Sequence, residues 1–251
     1  MIDNKMNNSK KNKIVIFDLC GTLLNSKTLD HHAINNTLEK YHKAPWSITR
    51  KQKNKSLSMK ENFPIFFGKH HIEAYNTYID YLTKHINEIS FFEYASEHLQ
   101  ILKYLNMQTA IITNRDNIFI NALKQQNEFK QHFIPFIDAI ITADDAGICK
   151  PSPVIIETAI NKLNSIKISP HQVTFIGDAY ADIQCALNYG CTPILFNATA
   201  TDITPDFLAL NQHKIKQFSS HKNIIEFFIQ KEKSQQANIS RILTNKKYFD
   251  L

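Results

Sequence analysis

Several residues suited to phosphoryl chemistry come shortly after apolar runs of the sequence. They comprise three carboxylates, a lysine, two hydroxyls and an amide: Asp18, Thr22, Thr113, Asn114, Lys150, Asp178 and Asp182. A carboxylate can attack phosphorus and form an aspartyl-phosphate, which divides one difficult step into two easier ones. A divalent metal and a lysine can offset the charge on the phosphoryl oxygens. These residue types therefore predict a metal-assisted phosphoryl-transfer site.

Each of these residue types has a role that its chemistry suggests. Mg²⁺ prefers oxygen ligands, so Asp18 and Asp178 suit it, and Asp182 is placed to bind it directly or through water. The hydroxyl of Thr113 can hold a phosphate oxygen, and backbone N–H groups after the first apolar run can add to that cradle. The expected cofactor is Mg²⁺, and the expected ligand is a small phosphorylated molecule.

The apolar runs read as strands that helical patterns separate. The predicted strands cover residues 13–19, 109–113, 137–142, 173–177 and 192–196, and the predicted helices cover 95–106, 117–127, 153–164 and 181–189. Alternating strands and helices predict an α/β fold, with a parallel sheet covered by helices on both faces. Ligands of such sheets bind beyond the carboxyl ends of the strands, where the candidate residues would meet.

The rest of the chain departs from this alternation. Residues 25–94 carry mostly helical patterns, at 30–42 and 70–89, and no convincing buried strand. This stretch is too long for a loop and predicts an inserted all-helical domain. The resulting division is a flexible arm at 1–12, an α/β core at 13–24 and 95–230, a helical insert at 25–94 and a polar tail at 231–251.

Composition favours a cytoplasmic globular protein. Of its 251 residues 43% are hydrophobic, no apolar run reaches the roughly 18–20 residues that span a bilayer, and the first residues lack the features of a secretory signal. A net charge of +6 could attract an anionic substrate or nucleic acid, but the basic residues are scattered and no nucleic-acid motif is present. No membrane or nucleic-acid partner is expected, and the sequence does not indicate an oligomeric state.

The ordered motifs carry a family resemblance over roughly residues 13–200. Asp18-x-x-Gly21-Thr22, Thr113-Asn114, Lys150-Pro151 and Gly177-Asp178-x-x-x-Asp182 resemble, in that order, the four motifs of the haloacid dehalogenase-like hydrolases. The insert resembles the cap of the helical-cap branch of that family. The resemblance implies a Rossmann-like core with a helical cap, and a phosphatase that works through an aspartyl-phosphate.

The same resemblance implies a role for each matched residue. Asp18 would be the nucleophile and Lys150 the charge-neutralising lysine, with phosphate held by Thr113, Asn114 and Lys150. The metal would take the carboxylates of Asp18, Asp178 and Asp182 and the backbone carbonyl of Cys20. The implied catalytic set is Asp18, Cys20 and Lys150.

Cys20 departs from the family pattern. Phosphatases of the family normally have a second aspartate there, which protonates the leaving alkoxide and later deprotonates the attacking water. A thiol is a weak hydrogen-bond partner, and loss of general acid–base help typically costs about 10²–10⁴ in rate. Three interpretations stay open: a phosphatase with weakened or altered acid–base catalysis, a phospho-ligand binding or regulatory protein, and dehalogenase-type chemistry. The first would be restricted to leaving groups that need little protonation, such as acyl or aryl phosphates, or would take an acid from the cap.

Two further features have alternative interpretations. Cys20 and Cys149 could form a redox pair, although free thiols are expected in a reducing cytoplasm, and Cys185 and Cys191 are expected to pack as small apolar groups. The insert is basic through Lys43, Arg50, Lys51, Lys53, Lys55 and Lys60. These charges either attract an anionic substrate or simply form solvated helix faces. The aromatic run at 63–67 is expected to form the core of the insert.

Overall fold

A computed structural model describes residues 13–54, 57–165, 167–196 and 202–231. The predicted arm at 1–12, Lys55 and nearly all of the predicted tail at 231–251 lie outside the described residues. The described strands are β1 (Ile14–Phe17), β2 (Leu24–Asn25), β3 (Ser90–Phe91), β4 (Gln108–Thr113), β5 (Ala139–Thr142), β6 (Val173–Gly177), β7 (Thr192–Phe196) and β8 (Lys216–Phe218).

Six of these strands form one parallel sheet in the order β5-β4-β1-β6-β7-β8. In the register, Phe17 lies opposite Ile111 on one side and Ile176 on the other. The chain places β4 and β5 on one side of β1 and then crosses to place β6, β7 and β8 on the other. The loops after β4, β1 and β6 therefore leave the sheet side by side at its carboxyl edge. Open parallel sheets bind ligands at this edge. The predicted α/β fold is confirmed.

Helices connect the strands and cover both faces of the sheet. They are α1 (Lys27–Lys40), α2 (Trp46–Thr49), α3 (Met59–Phe67), α4 (His71–Lys84), α5 (Ala95–Tyr104), α6 (Asn117–Leu123), α7 (Asn127–His132), α8 (Ala143–Ala146), α9 (Val154–Lys162), α10 (Tyr180–Tyr189), α11 (Pro205–Asn211) and α12 (His221–Lys231). Within the described ranges, the longest helices have 14 residues, and none has the length and apolar character needed to span a bilayer.

The alternation of side chains along the central strands builds two cores. Val15 and Phe17 belong to a cluster that continues into α5, α6 and α12, whereas Ile14 and Ile16 belong to a second cluster with α9. All four side chains are essentially inaccessible to solvent. Burial on both faces explains why β1 is a continuous apolar run rather than an alternating one. Cys185 and Cys191 pack in the second cluster, as expected.

Residues 25–94 are mostly helical. Helices α3 and α4 pack together, and α1 packs on α4, around the aromatic run predicted to form a core. Phe63, Phe66 and Phe67 are buried and Trp46 meets Phe66 edge to face, which confirms that prediction for the phenylalanines, whereas Ile65 of the same run is exposed. Ser58 begins α3 with a capping box, in which its hydroxyl accepts from the backbone of Glu61.

Three local predictions need correction. The helix predicted at 117–127 is two helices, α6 and α7, because Gln126 is extended and buried and its amide donates to the carbonyl of Ile89. The short antiparallel pair β2 and β3 closes the two ends of the insert and carries no apolar run that would reveal it. The last strand, β8, has the sequence KQF and is mostly exposed at the sheet edge, so it lacks the signature of a buried strand.

Candidate active site

Three neighbouring strands and one loop bring the candidate residues together. Asp18 follows β1, Thr113 ends β4 and Asp178 follows β6, so all three stand at the carboxyl edge of the sheet. Lys150 comes from the loop between α8 and α9, and Asp182 lies in the first turn of α10. With Cys20 and Asn114, these five residues line one cavity of about 830 Å³.

Lys150 is the buried cation of this cavity. Its ammonium lies 2.5 Å from a carboxylate oxygen of Asp18 and 2.6 Å from one of Asp182, and it also donates to the carbonyl of Ile112 at 3.3 Å. Burial alone would lower the pKa of Lys150, but the two carboxylates raise it above its usual range. Lys150 therefore remains an ammonium whose three protons are aimed at fixed acceptors.

Burial raises the pKa of Asp18 to about 6, although the attraction of Lys150 opposes that rise. Asp18 is 6% exposed, so little water reaches it. Above pH 6 the group is mainly a carboxylate, and poor solvation leaves it a stronger base than an exposed aspartate. A buried carboxylate facing a cavity has the properties of a nucleophile.

Three carboxylates form the candidate metal site. Asp18, Asp178 and Asp182 each offer an oxygen atom, and these oxygens lie within 4.8 Å of one another. Thr22 donates to Asp178 at 3.3 Å, and Asp182 also accepts from the backbone of Ala179 at 2.9 Å. An all-oxygen donor set of carboxylates fits Mg²⁺.

Two glycines allow this close approach. Gly21 has a φ of +95°, and a Cβ placed on it would lie 2.3 Å from a carboxylate oxygen of Asp178. A Cβ on Gly177 would lie 2.3 Å from the Cβ of Asp182. The glycine of the first motif therefore permits both a left-handed turn and contact with the metal-site carboxylate.

The two residues predicted to bind phosphate have different surroundings. The hydroxyl of Thr113 accepts from the backbone N–H of Arg115 at 3.2 Å, so its own proton points elsewhere and can serve a phosphate oxygen. The side-chain amide of Asn114 accepts from the backbone N–H of Lys150 at 2.8 Å and donates to its carbonyl at 3.3 Å. Asn114 thus fixes the loop that carries Lys150, which is a positioning contact.

Cys20 lies beside an arginine that the sequence did not single out. The Nε of Arg115 donates to the sulfur of Cys20 at 3.3 Å, while its Nη1 donates to the hydroxyl of Tyr78 at 3.0 Å. The other terminal nitrogen forms an ion pair with Asp30 of α1. Burial raises the pKa of the Cys20 thiol, although Arg115 opposes the rise, so the sulfur stays protonated at neutral pH. Arg115, Asp30 and Tyr78 all line the cavity.

The four cysteines are free thiols. Cys149 lies beside Ser58 and Glu61 at the start of α3, whereas Cys20 contacts Arg115, so the redox pair considered from the sequence does not form in this structure. Of the basic residues of the insert, Arg50 and Lys53 line the cavity and Lys60 pairs with Asp144 at 3.5 Å. Arg50 and Lys53 therefore support the interpretation that some of the basic residues of the insert attract an anionic substrate.

Two buried histidines support the loop after β1. His221 of α12 bonds through Nε2 to the carbonyl of Thr22 at 2.8 Å, and its Nδ1 lies 3.0 Å from Nδ1 of His98 in α5. Both rings are inaccessible to solvent. Burial lowers the pKa of His221 to about 4 and that of His98 well below its usual value. Both imidazoles are therefore neutral at pH 7.

Comparison with known proteins yields matches that cover most of the chain. The family model described as haloacid dehalogenase-like hydrolase matches residues 15–196. Pyrophosphatase PpaX of Bacillus pumilus (strain SAFR-032) is 28% identical over 183 residues, which cover 71% of this chain and 79% of that protein.

Solved structures show the same fold at lower identity. CbbY from Rhodobacter sphaeroides, in complex with phosphate, superposes with a TM-score of 0.68 at 17% identity and covers 83% of this chain and 94% of its own. A haloacid dehalogenase-like family hydrolase from Streptococcus pneumoniae gives 0.68 at 20% identity, covering 86% and 98%. At these identities the likeness is one of fold.

Proposed function

Since the chain belongs to the haloacid dehalogenase-like hydrolase family, we propose that it is a Mg²⁺-dependent phosphatase acting on a small phosphorylated metabolite. The observation that carries this proposal is the convergence of Asp18, Lys150, Asp178 and Asp182 on one cavity. The name of the Bacillus pumilus relative, a pyrophosphatase, supports phosphoryl chemistry.

In this proposal Asp18 is the nucleophile. A carboxylate oxygen of Asp18 attacks phosphorus, the bond from phosphorus to the leaving oxygen breaks, and the aspartyl-phosphate is later hydrolysed by water. Lys150 contacts Asp18 directly, so the ammonium orients the nucleophile and faces the incoming phosphoryl oxygens. The hydroxyl of Thr113 donates to one of those oxygens.

Mg²⁺ fits the carboxylates of Asp18 and Asp178, with the backbone carbonyl of Cys20 as a further oxygen ligand. When bound, it supplies positive charge against the phosphoryl oxygens. Both oxygens of Asp182 already accept from Lys150 and Ala179, so we assign Asp182 a water-mediated place in the metal site. Its direct task is to hold Lys150.

Residues 25–94 act as the cap in this proposal. The cap contributes Ser26, Asp30, Trp46 and Arg50 to the cavity, so it can decide which molecule enters. Exposed cationic side chains at its rim favour an anionic ligand through long-range attraction. We place the protein in the cytoplasm, which its free thiols support. Neither nucleic acid nor a membrane is a proposed partner.

The test is phosphate release from p-nitrophenyl phosphate with and without Mg²⁺. Wild type should turn over only with the metal, and Asp18→Asn should lose turnover. Asp80→Asn removes an exposed carboxylate on α4 and should keep the wild-type rate. An unchanged rate for Asp18→Asn contradicts the nucleophile. Calorimetry should also show Mg²⁺ binding that weakens in Asp178→Asn, and the absence of such binding contradicts the metal site.

Cys20 favours a second candidate function, binding of a phosphorylated ligand with little turnover, because the family's proton donor is missing. Wild type that binds phosphate with Mg²⁺ but releases none from any ester would support this second function. The dehalogenase interpretation is weaker, since the carboxylates at 178 and 182 suit a metal that phosphoryl transfer uses.

A further inference from the structure

Arg115 occupies the space beside the missing proton donor. Its Nε is 3.3 Å from the sulfur of Cys20, and both residues line the cavity that contains Asp18. In the proposed reaction the leaving oxygen needs a partner on this side of the phosphorus, where the family places its acid. The groups that line the cavity there are the thiol of Cys20, a weak donor, the guanidinium of Arg115, a strong one, and Asp30 and Tyr78, which are bonded to each other and to Arg115.

The guanidinium is held in a fixed orientation. It donates to Cys20 and Tyr78, pairs with Asp30 and lies with its carbon 4.7 Å from the centre of the Phe119 ring. The side chain is only 13% exposed. An arginine has five N–H donors, and these three bonds use three of them, which leaves one N–H on each terminal nitrogen. Fixed donors of this kind stabilise charge that develops in a reaction.

Arg115 can stabilise negative charge but cannot donate a proton. The guanidinium keeps its charge because arginine is not deprotonated in proteins, and Asp30 pairs with it directly. When the bond from phosphorus breaks, its electron pair goes to the leaving oxygen. Without a proton, that oxygen must depart as an anion, which a carboxylate, phosphate or phenolate does readily and an alkoxide does not.

We propose that Arg115 binds the leaving group as it departs, and that the site prefers acyl phosphates and phosphoric anhydrides over alkyl phosphate esters. This inference rests on the proposed phosphatase function and adds the leaving-group residue and the substrate class. Exposed cations at the cavity rim, Lys27, Arg50 and Lys53, fit a leaving group that is itself an anion.

The first test needs no variant. Wild type with Mg²⁺ is assayed on acetyl phosphate, pyrophosphate, glycerol phosphate and a series of aryl phosphates with graded phenol acidity. The expected kcat/KM falls steeply as the leaving group becomes more basic, with glycerol phosphate at least ~10²-fold below acetyl phosphate, the range that general acid help supplies. Equal rates on acetyl and glycerol phosphate would overturn the inference.

The second test separates the role of Arg115 from a structural one. Arg115→Met should reduce kcat/KM by about 10²-fold on aryl phosphates, as loss of one preorganised donor does, and the reduction should grow with the basicity of the phenol. Asp30→Asn combined with Arg115→Met removes the carboxylate that would otherwise stay unpaired and provides a second variant if the single one is unstable. A loss of the same size across the whole aryl series would overturn the inference.

A third variant tests the missing proton. Cys20→Asp should raise turnover of glycerol phosphate by about 10²–10⁴-fold and flatten the dependence on phenol acidity. An unchanged dependence would overturn the inference. Failure of the proposed function looks different, because wild type would then release no phosphate from any compound and would form no phosphoenzyme with acetyl phosphate.

Discussion

The buried pair His98 and His221 predicts a specific loss of stability in acid. The carbonyl of Thr22 can only accept, so Nε2 of His221 carries the proton and its Nδ1 accepts from Nδ1 of His98. A second proton on His221 would place two N–H groups face to face across 3.0 Å. Within the described part of the chain, Nε2 of His98 is buried without a hydrogen-bond partner. Protonation of either ring to the imidazolium form therefore destabilises the folded state.

The size of the effect follows from the shift at His221. Its pKa is about 4 in the folded protein against an ordinary value of 6.5. That gap corresponds to roughly 3 kcal/mol of unfolding free energy. Because the folded pKa is the lower one, this contribution is complete above pH 6.5 and is lost as the pH falls towards 4. A typical domain has about 5–15 kcal/mol in total, so the loss is easily measured.

The assay is urea unfolding, followed by the fluorescence of Trp46, at intervals from pH 7.5 to pH 4.5. His221→Gln keeps a neutral donor for the carbonyl of Thr22, so it should lose less free energy than wild type over this range. Groups that do not contact residue 221 titrate equally in both proteins, so the difference reports on His221 together with His98, the ring that it contacts. The control, His171→Gln, changes an exposed ring and should follow wild type. Parallel curves for wild type and His221→Gln would refute the reasoning.

Three further predictions concern the candidate site and the helical insert. Lys150→Met should abolish turnover. It should also lower the melting temperature more at pH 8 than at pH 5, because the buried Asp18 carboxylate loses its cation. Equal decreases in melting temperature at both pH values would contradict this reason. Gly21→Ala should weaken Mg²⁺ binding in calorimetry, because the added carbon would meet Asp178, and wild-type affinity would count against that contact. Phe63→Ala should cost about 3–5 kcal/mol in urea unfolding, since its ring is fully buried, and a cost below ~1 kcal/mol would rule it out as a core residue.

The sheet was predictable because each of its buried strands has a local pattern of apolar residues in the sequence. Buried runs such as residues 13–19 carry their own signature, and the residues after them share one sheet edge by topology alone. All five predicted strands lie within two residues of their observed ends at both limits; they are β1, β4, β5, β6 and β7. The break between α6 and α7 was not predictable, since it depends on a contact between Gln126 and Ile89, which are distant in sequence.

The parts of the site that the sequence did not reveal depend on long-range pairing. Arg115 meets Asp30 across 85 residues and Tyr78 across 37. None of the three stands in a recognisable motif, and an arginine near a strand end is usually a solvated surface residue. The pairing arises only when the insert folds back over the sheet. By contrast, the motif residues could be identified from their order along the sequence alone.

The contacts of α4 with the loop after β4 limit how far this enzyme can be recombined with its relatives. Tyr78 donates to Asp30 and accepts from Arg115, while Tyr75 donates to Asp116 at 2.8 Å. A chimera that exchanges residues 25–94 for the insert of another family member would leave the Arg115 charge buried without its carboxylate. We therefore expect a chimera to keep these bonds only when residues 25–94 are exchanged together with the two residues after Asn114.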